Sequence, residues 1–179
     1  MDINISKAKK EDYPFFMKLY TASFPEEERR DYSLEGDLQR FIESHQEFTL
    51  YIIKNKNERA GFITIWDLGE FLYGEHLATL PEIRGKGTGA AVLEEVKRIA
   101  DERGKGFLLE VEMPENEMSR RRIGFYERNG FTLHPDYKYI QPPYRAGLPE
   151  VEMLLMTYGN LTPTPEYIAH LHHKVYKRP

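Results

Sequence analysis

The residues with the clearest capacity for chemistry lie in one glycine-rich segment, Arg84-Gly85-Lys86-Gly87-Thr88-Gly89. Glycine has no Cβ, so it adopts positive φ angles without penalty and lets a ligand come close to the backbone. A strong helical pattern follows, and the first N–H groups of a helix lack internal acceptors and lie at its positive end. Arg84 and Lys86 add positive charge there. These features predict a diphosphate site, although an isolated glycine pattern often only turns the chain.

Two other nucleotide-binding motifs fit this segment poorly. A Walker A loop ends in Gly-Lys-Ser/Thr, and the chain contains no such sequence. A dinucleotide fingerprint can be drawn through Gly85, Gly87 and Ala90, with Glu110 as the distant acid. That fingerprint requires a strand that runs directly into the first glycine. Residues 81–84 intervene here, and their proline cannot continue a central strand, so the dinucleotide interpretation is disfavoured.

The composition describes one acidic globular protein. Its 179 residues are 40% hydrophobic and 13% aromatic, which is enough for one substantial core and argues against disorder. The net charge of −4 gives no general attraction to nucleic acid or anionic lipid. The absence of cysteine excludes disulfides, thiolate catalysis and cysteine metal sites. A charged N-terminus without any long apolar run predicts a cytoplasmic protein with no membrane partner.

The first eighty residues predict four strands and two helices. The first helix should begin after Asp12, as its N-cap, and end at Pro25. A second helix is indicated by apolar residues spaced i, i+4, i+7 and i+8 from Leu34. The strands have alternating, β-branched or aromatic apolar residues, and the second and third form a hairpin: residues 3–9, 48–53, 60–66 and 71–79.

The rest of the chain predicts three strands and three helices, so the order of elements is mixed α/β. The helices have apolar stripes at helical spacing and cover residues 87–103, residues 119–129 with Gly130 as a C′ residue, and a terminal segment from Pro165. The strands are residues 107–112, 131–134 and 151–158, and residues 135–149 are predicted to be irregular.

Two motifs resemble those of a known family. Arg84, Gly87 and Gly89 match Arg/Gln-x-x-Gly-x-Gly/Ala, the hallmark of the GNAT superfamily of N-acetyltransferases at a strand-to-helix turn. Residues 125–131, Phe-Tyr-Glu-Arg-Asn-Gly-Phe, look like the family's later helix, which ends in Tyr-x-x-x-Gly-Phe. The motifs occur in family order, and together they are far more specific than either alone.

The resemblance covers residues 3–158 and implies the architecture of the family. The expected fold is a twisted mixed sheet of about six or seven strands with helices on both faces and a short C-terminal helix. The acetyltransferase domain is expected over residues 1–160, and residues 161–179 form a helical extension that packs on the domain or on a partner.

The resemblance further implies that acetyl-CoA is the cosubstrate and that no metal is needed. Backbone groups of Leu77, Ala78 and Thr79 are expected to pair with the pantetheine arm like an added strand. Family members often have an asparagine where this chain has Ser119, and the nearby Asn116 is the candidate for that contact. The pyrophosphate is expected at the glycine turn, formed by Arg84, Gly85, Lys86, Gly87, Thr88 and Gly89.

Three side chains are the candidates for proton transfer. Tyr126 matches the family tyrosine near the cofactor sulfur, and a phenol with a pKa near ~10 can protonate a thiolate of comparable basicity. The attacking amine must lose a proton, which a carboxylate commonly collects directly or through water. Glu75 is the first candidate for that role and Glu110 the second. His76 is adjacent to Glu75, but neighbouring side chains of a strand are expected on opposite faces.

Several other features have two interpretations from the sequence alone. The acidic run at residues 26–28 could attract a cationic acceptor, or it could be a solvated helix start. The tyrosine-rich stretch at residues 137–144 could form a pocket wall, a dimer contact or a packed loop. His170, His172 and His173 lack an evident third partner for a metal, so an amphipathic terminal helix is the better interpretation.

The sequence therefore gives two functional hypotheses. The first is an acetyl-CoA-dependent N-acetyltransferase, in which a primary amine of a small molecule or peptide attacks the thioester directly. The second is a non-catalytic acyl-CoA sensor or interaction module with the same fold. Ser119 and Arg122 stand where family members often have an asparagine and a small residue, and these two departures leave the second hypothesis open. Acceptor pockets in such folds are built from variable loops, so the sequence does not name the acceptor. The sequence leaves undecided whether the chain forms a homodimer, and no nucleic acid partner is expected.

Overall fold

A computed structural model describes residues 1–179 of the chain. It contains a seven-stranded mixed sheet and five α-helices, which confirms the predicted fold class. The strands are β1 (Ile3–Lys7), β2 (Phe48–Asn55), β3 (Glu58–Asp67), β4 (Phe71–Thr79), β5 (Gly106–Glu112), β6 (Thr132–Gln141) and β7 (Val151–Tyr158). The helices are α1 (Tyr13–Ser23), α2 (Leu38–Ser44), α3 (Thr88–Glu102), α4 (Glu117–Arg128) and α5 (Pro165–Tyr176).

The strand order in the sheet is β1-β2-β3-β4-β5-β7-β6. The pairs β1–β2, β2–β3, β5–β7 and β6–β7 are antiparallel, whereas β4 and β5 are parallel. The parallel register begins with Phe71 opposite Gly106 and continues to Gly74 opposite Leu109. A parallel pair needs a long crossover connection, and α3 supplies it here.

The chain forms two compact units. The first contains Met1–Trp66 and Glu75–Val96, and the second contains Asp67–Gly74 and Lys97–Pro179. The division falls within β4 and within α3, so each unit includes part of the sheet and part of this helix. The division at residue 160 expected from the sequence stays a prediction.

Aromatic rings fill the core of the first unit. Phe16 of α1 packs edge-to-face on Phe62 of β3, with 4.7 Å between ring centroids. Tyr32 packs in the same way on Phe41 of α2 at 5.0 Å, and Trp66 is fully buried near the end of β3. Each such pair stabilises the fold by about 0.5–1.5 kcal/mol beyond the area that it buries. These contacts hold α1 and α2 against the strands.

α1 begins directly after Asp12, as predicted, but Asp12 does not cap it with its side chain. Its carboxylate instead accepts hydrogen bonds from the backbone of Lys9 and from Nε of Arg59, both at 2.8 Å. The helix ends at Ser23, two residues before Pro25, because the residue before a proline is disfavoured in the helical region.

The second helix begins later than its apolar spacing predicted. Leu34 lies in a preceding 3-10 turn, where it is 71% exposed. Gly36 has a φ of 101°, which no helix accommodates, and Asp37 then caps α2 by accepting a hydrogen bond from the backbone of Arg40 at 2.8 Å. The helix is therefore restricted to Leu38–Ser44.

β6 is longer than predicted. The sequence indicated a strand at residues 131–134 and irregular structure from Pro135, but the strand continues to Gln141. Its pairing with β7 shifts register between His134 and Tyr139. A proline has no N–H to donate and is tolerated in edge strands and at bulges. Because β6 is the last strand in the sheet order, Pro135 marks an irregularity within it rather than its end.

α5 packs on the second unit. It begins as predicted, with Thr164 as the N-cap that accepts a hydrogen bond from the backbone of Tyr167 at 3.2 Å. Leu171 and Val175 are completely buried. The segment before α5 lies directly against β5, since a Cβ on Gly106 would be 2.4 Å from the Cβ of Leu161.

Candidate functional site

The glycine-rich turn has the backbone conformation that its composition predicted. Gly85, Lys86 and Gly87 have φ angles of 81°, 53° and 78°. All three residues are therefore in the left-handed region, which glycine adopts without the cost that a Cβ imposes. The turn leads directly into α3, a helix of 15 residues that begins at Thr88.

Five amide groups of this turn have no partner within the protein. The amides of Thr88 and Ala91 donate to the carbonyls of Gly85 and Gly87, each at 3.1 Å. Those of residues 85, 86, 87, 89 and 90 make no hydrogen bond to another protein group. Successive amides in such a turn, at the positive end of a helix dipole, form an anion-binding concavity. The turn can therefore hold a phosphate or diphosphate group.

Arg84 and Lys86 place positive charge beside these amides. Both side chains are exposed, and neither forms an ion pair. Arg84 donates from Nη2 to the carbonyl oxygen of Thr79 at 3.0 Å, which holds its guanidinium near the end of β4. A guanidinium has five N–H donors, so others remain for an anion.

The second half of β4 is held close to β3. A Cβ on Gly61 of β3 would lie 2.4 Å from the carbonyl oxygen of Ala78, so only glycine permits this approach. The backbone N–H of His76 donates to the hydroxyl of Thr64 at 3.0 Å. These contacts fix the strand whose Leu77, Ala78 and Thr79 were predicted to pair with the cofactor.

Glu75 lies in an enclosed ion pair. Its side chain is 0% exposed and accepts hydrogen bonds from Nη2 of Arg30 at 2.8 Å and from Nε1 of Trp66 at 3.1 Å. Arg30 is 10% exposed and lies 5.0 Å above the centroid of the Phe41 ring. Burial alone would raise the pKa of Glu75, but the charge of Arg30 and the two hydrogen bonds outweigh it and lower that pKa. Glu75 is thus held as an anion.

His76 lies nearer to Glu75 than strand alternation predicted. Its Nδ1 is 3.9 Å from Oε1 of Glu75. Its ring packs edge-on against Tyr20 and Phe24, with centroid distances of 4.9 and 4.7 Å. Its Nε2 is 2.8 Å from the carbonyl oxygen of Glu28 and must be the donor. Burial lowers the pKa of His76, against the opposing charge of Glu75, so the ring is a neutral member of the core.

Glu110 of β5 is surrounded by phenols rather than by a cation. Its Oε1 accepts hydrogen bonds from the hydroxyls of Tyr73 and Tyr176, the latter at 2.8 Å. Its Oε2 is buried without a well-aligned hydrogen bond, although Tyr139 and Gln141 also act on the carboxyl. Burial raises the pKa of Glu110, and the surrounding polar groups oppose this without cancelling it. This carboxyl can therefore gain and lose a proton closer to neutral pH.

Tyr126 lies in the last turns of α4. Its ring packs against Phe125 and Phe131, with centroid distances of 5.7 and 5.5 Å. Its hydroxyl makes no hydrogen bond to another protein group. Burial raises the pKa of Tyr126, although the charge of Arg122 opposes this. The phenol is consequently neutral near pH 7 and keeps its proton for donation.

The ends of α4 are fixed by local hydrogen bonds. Gly130 has a φ of 88°, and the backbone of Phe131 donates to the carbonyl of Tyr126 at 3.0 Å, which confirms the predicted C′ glycine. At the other end, Asn116 accepts a hydrogen bond from the backbone of Ser119 at 2.8 Å, and the Ser119 hydroxyl accepts one from Asn116. This capping box uses both Oδ1 and the backbone N–H of Asn116, and the carbonyl of Asn116 accepts from the backbone of Arg120 at 3.1 Å. Only the side-chain amide nitrogen of Asn116 is left for a cofactor.

The sequence did not identify the partners of the two glutamates. Arg30 is 45 residues from Glu75, and nothing in its local pattern indicates a contact. Tyr176 is 66 residues from Glu110. Its position in the apolar stripe of α5, eight residues after Ile168, is the one signal that could have identified it.

The other features left open by the sequence have ordinary environments. Residues 26–28 form an exposed 3-10 turn. Tyr144 packs against the ring of Tyr176 at 5.1 Å, and His172 lies 3.1 Å from the hydroxyl of Tyr139. No group of three His, Asp or Glu side chains is arranged to hold a metal ion. None of the helices has the length and apolar character needed to cross a membrane.

Comparison with known proteins identifies a family. A sequence model of the Acetyltransferase (GNAT) family matches residues 13–131, a segment that includes both motifs. A GNAT-family protein from Bacteroides thetaiotaomicron has 37% sequence identity and a TM-score of 0.88, over 98% of this chain and 99% of its own. A search of curated proteins finds no match.

Two more distant solved structures share the fold. The ribosomal-protein-S18-alanine N-acetyltransferase from Escherichia coli has 18% identity and a TM-score of 0.60, over 92% of this chain and 97% of its own. The PaiA N-acetyltransferase from Thermoplasma acidophilum, solved in complex with coenzyme A, has 18% identity and a TM-score of 0.57, over 88% of this chain and 99% of its own.

Proposed function

The chain belongs to the GNAT family of acetyltransferases, and we propose that it transfers the acetyl group of acetyl-CoA to a primary amine of a small molecule or peptide. The observation that carries this proposal is the set of five unpartnered amides at residues 85, 86, 87, 89 and 90. They lie at the start of α3, beside two exposed cations that have no acidic partner.

The turn and the end of β4 suit the two parts of coenzyme A that need support. The pyrophosphate would be held by the amides of the turn together with Arg84 and Lys86. A Cβ on Gly85 would meet nothing within 4 Å, so the space above this residue is open. The backbone of Leu77, Ala78 and Thr79 would pair with the amides of the pantetheine arm as an added strand. Acetyl-CoA supplies the acetyl group in an activated form, as a thioester.

We place Glu110 ahead of Glu75 as the acceptor of the amine proton. A general base works best when its pKa is near the operating pH. Burial raises the pKa of Glu110 toward that range, whereas Arg30 keeps the pKa of Glu75 below its ordinary value. Both carboxylate oxygens of Glu75 already accept hydrogen bonds. Glu75 is then a structural anion.

Tyr126 is the proposed donor to the departing thiolate. Its hydroxyl is not engaged by the protein and stays protonated because burial raises the pKa of Tyr126. The amine loses its first proton to solvent and enters the reaction neutral; its nitrogen then bonds to the acetyl carbon while the carbon–sulfur bond breaks. The amine proton goes to Glu110, directly or through water, and the Tyr126 proton goes to sulfur. Proton exchange with solvent then restores both groups.

The acceptor is proposed to be an amine on chemical grounds. A carboxylate with a raised pKa serves an amine nucleophile, which is mostly protonated in solution and must lose two protons overall. The Escherichia coli relative acts on an alanine of a ribosomal protein, which is one example of a peptide amine in this fold. The fold does not choose between peptides and small molecules.

Calorimetry with acetyl-CoA tests the cofactor site. Gly87→Glu should abolish binding, because a carboxylate in the turn repels the phosphates and occupies their space. Gly104→Glu is the matched control, since Gly104 also has a positive φ of 63° and open space at its Cβ, yet it lies beyond the last residue of α3. The control should bind acetyl-CoA as the wild type does. Unchanged affinity in Gly87→Glu would remove the proposed site.

A further inference from the structure

The C-terminal helix provides a contact to Glu110 that lies outside the matched family segment, which ends at residue 131. We propose that Tyr176 of α5 is a positioning residue that orients the Glu110 carboxylate for proton uptake. This inference rests on the proposed function, in which Glu110 accepts the proton of the amine.

The two oxygens of the Glu110 carboxylate have different surroundings. Tyr176 donates to Oε1 of Glu110 at 2.8 Å, and Tyr73 donates to the same oxygen. The two hydroxyls are 3.1 Å apart, so they form a connected pair around that atom. Oε2 has no well-aligned hydrogen bond although it is buried. Two hydroxyls therefore hold the carboxylate at Oε1, and Oε2 is the less constrained oxygen, the one that can receive a proton.

Tyr176 is itself held firmly. It is 5% exposed, and its ring packs against Tyr144 at 5.1 Å and against His172 at 5.9 Å between centroids. The preceding Val175 is completely buried. A phenol locked by packing loses little freedom when it donates a hydrogen bond, which makes it suitable for orienting a reactive group.

The groups that act on Glu110 come from three further elements besides its own strand. Tyr73 belongs to β4, Tyr139 and Gln141 to β6, and Tyr176 to α5. His172 of α5 lies 3.1 Å from the hydroxyl of Tyr139, and burial lowers the pKa of that histidine. No cation is among the neighbours of the carboxyl. Phenolic hydrogen bonds are therefore what favours its charged form over its neutral form.

Removal of the Tyr176 hydroxyl has a definite consequence for the pH dependence. The lost hydrogen bond stabilised the carboxylate, so the pKa of Glu110 should rise further in Tyr176→Phe. The acidic limb of the kcat/KM profile should move to higher pH, and kcat/KM on that limb should fall about tenfold relative to the wild type. On the plateau above the limb, the loss should be smaller, since only orientation is affected.

Tyr158→Phe is the matched control. The Tyr158 hydroxyl also donates to a carboxylate of the second unit, Asp101, at 2.9 and 3.0 Å. This variant removes the same type of hydrogen bond but should leave both the limb and the plateau unchanged. If Tyr176→Phe behaves like the control, or loses activity equally at every pH, Tyr176 has no positioning role.

Glu110→Gln separates this inference from the proposed function. If Glu110→Gln loses turnover but the acidic limb of the kcat/KM profile does not move in Tyr176→Phe, the role of Tyr176 is overturned and the role of Glu110 is not. Full turnover in Glu110→Gln would overturn the assignment of the base itself. Absence of acetyl-CoA turnover in the wild type over a broad panel of amines would overturn the proposed function.

A measurement on the wild-type protein covers the case in which Tyr176→Phe does not fold. With tyrosine labelled at Cζ, the carbon-13 resonance of Tyr176 should shift with the same midpoint as the acidic limb, because its hydroxyl responds to the charge of Glu110. A Tyr176 resonance that stays constant through the limb would contradict the inference.

Discussion

Glu75 and Glu110 are enclosed glutamates, one in each compact unit, and both were candidates for the same catalytic role. Glu75 is paired with Arg30 at 2.8 Å and accepts a second hydrogen bond from Trp66. Glu110 has no cation and is held by the hydroxyls of Tyr73 and Tyr176. The pKa of the first is lowered and the pKa of the second is raised, and burial acts in the same direction on both.

The difference shows that the kind of partner, rather than burial, decides what an enclosed carboxyl can do. A full positive charge at hydrogen-bond distance outweighs the cost of burial and produces a permanent anion. Neutral hydroxyls compensate only part of that cost, so the carboxyl keeps a useful affinity for a proton. The ion pair therefore suits structure, and the phenolic cluster suits proton transfer.

Substitution of each glutamate by glutamine should separate the two by turnover. Glu110→Gln should lower turnover by about 10²–10⁴-fold, the usual contribution of a positioned acid or base. Acetyl-CoA affinity should be unchanged because the glycine turn is intact. Glu75→Gln should lose much less turnover. A thiol-release assay measures the turnover of both variants. If Glu75→Gln is the inactive variant, Glu110 is not the proton acceptor.

The next effect concerns stability and should appear in the first unit. Arg30→Met leaves the Glu75 carboxylate buried without its cation, which typically costs about 3–5 kcal/mol of unfolding free energy. Urea denaturation measures this loss. The double variant Arg30→Met/Glu75→Gln should recover part of it, because the uncompensated charge is gone. A single variant as stable as the wild type would show that the pair does not hold Glu75.

The third effect is that the stability contributed by Glu75 and the stability contributed by Glu110 change in opposite directions as the pH rises. Glu75 has a folded-state pKa below its ordinary value of 4.5, so its contribution to stability is present above that value and is lost as pH falls through the folded pKa. Glu110 has a raised folded-state pKa, so its contribution is present below 4.5 and is lost as pH rises through the folded pKa.

Urea denaturation at several pH values measures that difference. The loss of stability in Glu75→Gln should grow as the pH rises toward 4.5 and then remain constant. Glu110→Gln should instead become more stable relative to the wild type as the pH rises beyond 4.5. Parallel curves for the two variants would contradict the assigned shifts.

The smallest effect comes from an exposed glutamate on the same strand as Glu110. Glu112 lies 3.7 Å from Arg122, and both side chains are about half exposed. Exposed pairs of this kind contribute roughly 0–1 kcal/mol. Glu112→Gln should therefore change neither turnover nor the unfolding free energy by a measurable amount. A large loss of turnover in this variant would move the proposed base from Glu110 to Glu112.

The sequence predicted the parts of the site that local chemistry determines. Gly85 and Gly87 indicated positive φ angles, and Gly130 indicated the end of a helix, because glycine is the residue that these conformations favour. All three have φ angles near 80–90°. The fold class followed in the same way from the periodicity of apolar residues.

The environments of the glutamates were not predictable from local patterns. The sequence placed Glu75 first as the base, but it contains no signal that Arg30 approaches it from 45 residues away. Likewise, Tyr176 approaches Glu110 from 66 residues away. Such partners are decided by how helices and loops pack on the sheet, so the preference between the two carboxyls could be argued only from the structure.

Titration of the two carboxyls by carbon-13 NMR, with glutamate labelled at Cδ, decides whether Glu110 has the higher pKa and can accept the proton of the amine. Glu110 should titrate above the ordinary range of a glutamate, with the same midpoint as the acidic limb of turnover, while Glu75 stays ionised to lower pH. The opposite order, with Glu75 the more basic carboxyl, would contradict the assignment of Glu110 as the proton acceptor.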